Sequence, residues 1–128
     1  MTHLTGITTE LMVDDMEKSI DFYKHTLGFK IILSEPKTNP FFVILQNGKV
    51  KLMLYQRKQF AEEIPSFEKL PVGGSIALYI GVEDIASFFD KIKRKVKIIQ
   101  PLHKTDYGST EFSCEDCNGY LLMFHEGN

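Results

Sequence analysis

At 128 residues the chain has room for one compact domain with a genuine core. A charged fraction of 25% with a net charge of −2 supplies neither a basic face for nucleic acid nor an acidic tail. No basic region followed by an apolar run opens the sequence, and its longest apolar stretches, FFVIL and YLLMF among them, have five residues each, far short of a membrane span. The expectation is a soluble cytoplasmic protein with no nucleic-acid or membrane partner.

Alternation predicts a first strand over residues 7 to 13, with Ile7, Thr9, Leu11 and Val13 on one face and Thr8, Glu10 and Met12 on the other. A helix follows. Asp14 and Glu17 form a capping-box-like start, Met16, Ile20, Tyr23 and Leu27 make one apolar stripe, and Gly28 supplies a left-handed stop. Strands are predicted over 29 to 34, 41 to 46 and 50 to 56, with Asn47-Gly48 as the hairpin signal before the last. In that last strand Val50, Leu52 and Leu54 should face the helix, leaving Lys51, Met53 and Tyr55 opposite.

QRKQFAEEIPSFEKLPVGG mixes charge with proline and glycine and reads as a linker containing about one helical turn. A strand over 75 to 82 comes next, with Ile76, Leu78, Ile80 and Val82 on one face and Ser75, Ala77 and Tyr79 on the other. Glu83 and Asp84 then precede a helix whose stripe is Ile85, Phe88, Phe89 and Ile92. Strands over 96 to 100, 109 to 114 and 120 to 125 complete the chain, with Asn118-Gly119 before the last. There Tyr120, Leu122 and Phe124 oppose Leu121, Met123 and His125.

The order strand, helix, strand, strand, strand therefore occurs twice. The organisation is a single α+β domain of two βαβββ modules, residues 1–57 and 74–128, joined by a linker at 58–73. The faces turned away from the helices are mixed and partly polar. If the two sheets curl toward each other as a cupped mixed sheet, these faces line a central crevice suited to a small ligand. The candidate lining is Glu10, Tyr55, Tyr79, Met123 and His125, with Tyr107 and His103 from a preceding loop as lids. Glu10 would pair with Lys51, take up a proton, or meet a donor group of the ligand. Cys114 and Cys117 in CEDC supply half of a zinc site with no second pair to complete it, and read as structural thiols.

VDDMEKSIDFYKHTLGF resembles the first helix of the vicinal oxygen chelate superfamily, which includes glyoxalase, bleomycin-resistance and extradiol dioxygenase proteins. GSIALYIGVEDIASFF and YGSTEFSCEDCNGYLLMFHE resemble its second-half strand-helix unit and its closing hairpin. The resemblance covers nearly the whole chain except the linker, and the family's Asp-Pro-Asp-Gly turn appears as Asp116-Cys117-Asn118-Gly119. It implies paired modules enclosing a binding crevice, often completed by a second subunit, so a homodimer is expected. In metal-dependent members four inward side chains hold a divalent ion. Projected here they fall on Thr8, Met53 (or Lys51), Ser75 (or Ala77) and Met123, and the primary set contains no carboxylate or imidazole donor.

The expected function is therefore small-molecule binding of the bleomycin-resistance type, with no metal or other cofactor and no catalytic residue. The alternatives are a lyase, isomerase or dioxygenase using a displaced ion or acid-base chemistry by Glu10 and His125, and an interaction subunit whose interior is packed solid.

Overall fold

The computed structural model describes residues 1–127. The chain forms two compact units, Met1–Leu70 and a second beginning at Pro71. Residues 57 to 70 thus belong with the first unit.

The first unit runs β1 (Thr9–Val13), α1 (Met16–Asp21) continuing into a π-helical turn (Phe22–Thr26), β2 (Lys30–Glu35), β3 (Phe42–Asn47), β4 (Val50–Gln56), α2 (Arg57–Glu63) and a 3₁₀ turn (Pro65–Phe67). Its sheet has the order β1-β4-β3-β2, with β1 and β4 parallel and the other pairs antiparallel. In register, Leu11 lies beside Leu54, Leu54 beside Val43, and Leu52 beside Leu45, all of them buried. They pack with Met16, Tyr23 and Leu27 into one core, as the alternation requires.

Three local expectations are corrected here. β1 starts at Thr9, not residue 7, and Ile7 is 96% exposed instead of facing the core. The N-cap is Asp15, which accepts a hydrogen bond from Lys18 N at 3.0 Å, whereas Asp14 is turned toward Arg57. Ser19, fully buried, takes the interior place expected of Ile20, its hydroxyl satisfied by Asp15 O at 2.8 Å. The wider π-helical turn ends at Leu27, where Gly28 adopts a φ of 77° and Asn47 Nδ2 donates to Leu27 O at 3.0 Å. The hairpin asparagine thus also closes the helix.

Most of the expected linker is structure. Phe60 of α2 is buried, stacked on Tyr55 at 4.7 Å and on Phe67 at 4.3 Å. Arg57 holds the segment by donating to the carbonyls of Glu68 at 3.1 Å and Leu70 at 2.6 Å. Because Tyr55 points away from Leu54, α2 covers the sheet face opposite α1, and Met12, beside Tyr55 in register, is buried there.

The second unit runs β5 (Ala77–Gly81), α3 (Ile85–Ile92), β6 (Lys97–Lys104), β7 (Thr110–Glu115) and β8 (Leu121–Glu126), in the order β5-β8-β7-β6. β5 and β8 are parallel, so the pairing repeats that of the first unit strand for strand. Two four-stranded mixed sheets with flanking helices thus make two similar modules of an α+β fold. Phe112, Cys114, Leu122 and Phe124 are buried on one face with Ile85 and Ile92, and Phe88 and Phe89 add edge-to-face contacts with Phe124 and Phe112 at 5.0 Å each. α3 carries no side-chain cap of its own; the Glu126 carboxylate at the end of β8 accepts from the backbone N–H groups of Asp84 and Ile85, each at 3.0 Å. β5 is shorter than the expected 75 to 82. β6 is longer than 96 to 100 because an edge strand tolerates Pro101.

Candidate functional site

On the second unit, register aligns the side chains of the face opposite α3. Tyr79 lies beside Met123 and Met123 beside Ser113; His125 lies beside Glu111 and Glu111 beside His103. Glu111 is the centre of this patch. It is only 4% exposed, and its Oε2 accepts hydrogen bonds from the Tyr79 hydroxyl and, at 2.9 Å, from the Tyr107 hydroxyl. The Tyr79 ring stacks on the His125 ring, with centroids 4.0 Å apart and planes 11° apart.

A buried carboxylate ordinarily resists ionisation. Here the Tyr79 hydroxyl outweighs the opposing effect of burial, Tyr107 adds to it, and the Glu111 pKa lies below the usual range. The same hydrogen bond pushes the Tyr79 phenol up to about 12. Glu111 is thus an anion at neutral pH, with both donors committed to one oxygen. The Ser109 hydroxyl stands close enough to lower the pKa of Tyr79 and of Glu111, yet its buried Oγ finds no partner in hydrogen-bond geometry. Ser109 is 6% exposed, and its hydroxyl is left as a buried polar group without a hydrogen-bond partner among the described residues.

Four of the expected site residues, Tyr79, Tyr107, Met123 and His125, therefore fall around Glu111. His103 stands in β6, not in the loop expected for it, and its Nδ1 donates to Pro101 O at 2.8 Å. Glu111 itself escaped the sequence reading. The signal was available: Phe112 and Cys114 mark the core face of the strand over 109 to 114, and alternation then turns Glu111 outward.

Glu10 and Tyr55 lie on the first unit. Glu10 is exposed, and its pKa is raised by desolvation and then by the nearby Glu63 carboxylate. Among the described residues it makes no ion pair with Lys51. Tyr55 donates to Glu63 Oε2 at 2.8 Å, and its ring belongs to the aromatic stack with Phe60.

The projected metal positions carry no metal-binding donor set. Thr8 and Ser75 are exposed and precede their strands; Met53 and Met123 are half-buried thioethers. Among the described residues, no three His, Cys, Asp or Glu side chains come together as a metal site. These residues do not fit a hard or borderline divalent ion.

The Glyoxalase/Bleomycin resistance protein/Dioxygenase superfamily matches residues 2–124. The chain is 31% identical over 88 residues to the uncharacterized protein YraH of Bacillus subtilis (strain 168), covering 66% of this chain and 67% of that one. A solved structure of a protein of unknown function from Agrobacterium tumefaciens str. C58 superimposes with a TM-score of 0.83 at 22% identity, covering 100% of this chain and 98% of that one. TnmS3, an antibiotic binding protein from Streptomyces sp. CB03234, superimposes with a TM-score of 0.75 at 17% identity over the whole of both chains. No helix among the described residues is long and apolar enough to cross a membrane.

Proposed function

Since the chain belongs to the Glyoxalase/Bleomycin resistance protein/Dioxygenase superfamily, we propose that it is a small-molecule binding protein that works without a metal ion and without chemical turnover. The observation that carries this reading is the second module's outer face. A buried, ionised Glu111 sits beside the Tyr79–His125 stack, where an aromatic surface and one fixed charge can orient a ligand. The projected family metal positions lack suitable donors, so the alternative of metal-assisted turnover has no ligand set to rest on. TnmS3, alike in fold, is an antibiotic binding protein.

The ligand contacts in this proposal are Tyr79, Tyr107, Met123 and His125 of the second module, with Glu10 and Tyr55 as separate candidate contacts on the first. A homodimer in the cytoplasm is part of the same proposal, two-fold pairs being the commonest oligomers. Thermal-shift screening of a metabolite and antibiotic set, repeated with chelator, tests the function. At least one compound should raise the melting temperature equally with and without chelator, and emerge unchanged by mass spectrometry. A compound consumed only when divalent metal is present would replace this reading with an enzymatic one. Light scattering coupled to gel filtration tests the dimer, and cell fractionation the location.

A further inference from the structure

Of the two modules, the first has its outer face covered in part by its own α2, with Phe60 lying on Tyr55. The second leaves Tyr79 52% exposed above a carboxylate that is 4% exposed. Around that carboxylate the polar groups are unevenly committed. Both tyrosine protons go to Oε2, and Oε1 receives no hydrogen bond from the described residues. The buried Ser109 hydroxyl adds an oxygen with no partner. The patch therefore presents carboxylate acceptor positions and one negative charge, beside the half-exposed Tyr79 ring of the Tyr79–His125 stack.

Tyr107 is the least secured member. Its ring is 70% exposed, it stands in the turn closed by Gly108 N donating to Thr105 O at 3.2 Å, and its hydroxyl is its one hydrogen bond to another side chain among the described residues. A side chain held by one terminal atom is readily exchanged for another donor.

We propose that Glu111 and Ser109 anchor a planar ligand group carrying N–H donors and a positive charge, of the amidinium or aminated-ring class, stacked on Tyr79. Tyr107 acts as a placeholder that yields its hydrogen bond to Glu111 when the ligand's donors arrive. The ordering principle is charge and hydrogen-bond complementarity: a paired N–H donor matches a carboxylate in two parallel bonds, and a cation gains from an aromatic face. A carboxylate or phosphate ligand would meet the Glu111 charge instead, and such ligands are rejected. This inference rests on the small-molecule reading above.

Benzamidine and its anionic counterpart benzoate are the probes, titrated by calorimetry into the full chain. Benzamidine should bind and benzoate should not. Glu111→Gln should weaken benzamidine about tenfold or more, the loss of a charged hydrogen-bond partner. Tyr107→Phe, at an exposed ring, should strengthen it several-fold by freeing Glu111 Oε2 in advance. If Glu111→Gln fails to fold, Tyr107→Phe and Ser109→Ala decide, the second being expected to weaken binding. Equal binding of the two probes, no binding of benzamidine at millimolar concentration, or unchanged affinity in Tyr107→Phe would overturn the proposal. Neutral or anionic compounds that shift the melting temperature while benzamidine does not would overturn the ligand class and leave the binding function standing. Failure of every compound would remove both.

Discussion

Arg57 and Asp14, 43 residues apart, meet as a fork: Nε donates to Oδ1 and Nη2 donates to Oδ2 at 3.2 Å. The hydrogen bonds from Arg57 are the first cause of the lowered Asp14 pKa. Asp14 is 55% exposed, so solvent screens the pair and most of its worth lies in holding α2 against the start of α1. Arg57→Ala should destabilise the chain by about 1–2 kcal/mol in urea denaturation, with Arg57→Lys recovering only part. A folded-state pKa below the unfolded one means that this contribution is present above the ordinary aspartate value and is lost as pH falls through the lowered one. Wild type and Arg57→Ala should therefore converge in stability toward acid pH.

Phe60→Ala removes the middle ring of the stack joining Tyr55 to Phe67. Loss of a buried aromatic here should cost about 3 kcal/mol. Denaturation measures the cost. A change under about 0.5 kcal/mol would mean that α2 does not cover the sheet face in solution.

Tyrosine ionisation followed in the ultraviolet should separate the five phenols of the chain. Tyr79 should lose its proton late, at about 12, because that proton is held by the Glu111 carboxylate. Tyr55, bonded to Glu63, should also titrate late. Since the folded pKa of Tyr79 lies above the unfolded one, its contribution to stability is intact below pH of about 10 and lost as pH rises through about 12. In Glu111→Gln the late step should move toward the ordinary phenol range.

The two thiols should differ in reactivity. Cys114 is wholly buried in the Phe112–Leu122 core and desolvation pushes its pKa up to about 12, whereas Cys117 is half-buried in the turn before β8. One equivalent of a disulfide reagent should react with native protein and the second only on unfolding. Rapid modification of both in native protein would place Cys114 outside the core.

Glu10→Gln should raise the melting temperature slightly at neutral pH. The Glu10 pKa is raised by desolvation and by Glu63, so ionisation works against folding, and stability from this site falls as pH rises through the raised value. A drop in melting temperature would instead indicate an attractive partner for Glu10, such as Lys51.

What could be read from the sequence was whatever repeats locally. The doubled strand-helix-strand order, the buried row Leu52 and Leu54, and the row Leu122 and Phe124 follow from periods of 3.6 and 2. What escaped depends on partners distant in sequence. α2 resembled a linker because Phe60 is the one strong apolar mark among charged neighbours, and its partner Tyr55 belongs to another element. Asp14 and Asp15 are equally good caps by composition; Arg57 decides between them. Local alternation with Phe112 and Cys114 sets the face on which Glu111 lies, but its bond to Tyr79, 32 residues away, is beyond any local pattern.

The strand order has a consequence for synthesis. In each module the last strand made is an inner one: β4 lies between β1 and β3, and β8 between β5 and β7. A nascent module thus carries its first strand without a sheet neighbour, exposing a row of backbone donors and acceptors until the final segment emerges. In the second module that same segment brings Glu126 to the N-terminus of α3. Ribosomes stalled before residue 121 should therefore display a second module that is open to proteases, beside a first module already resistant to them.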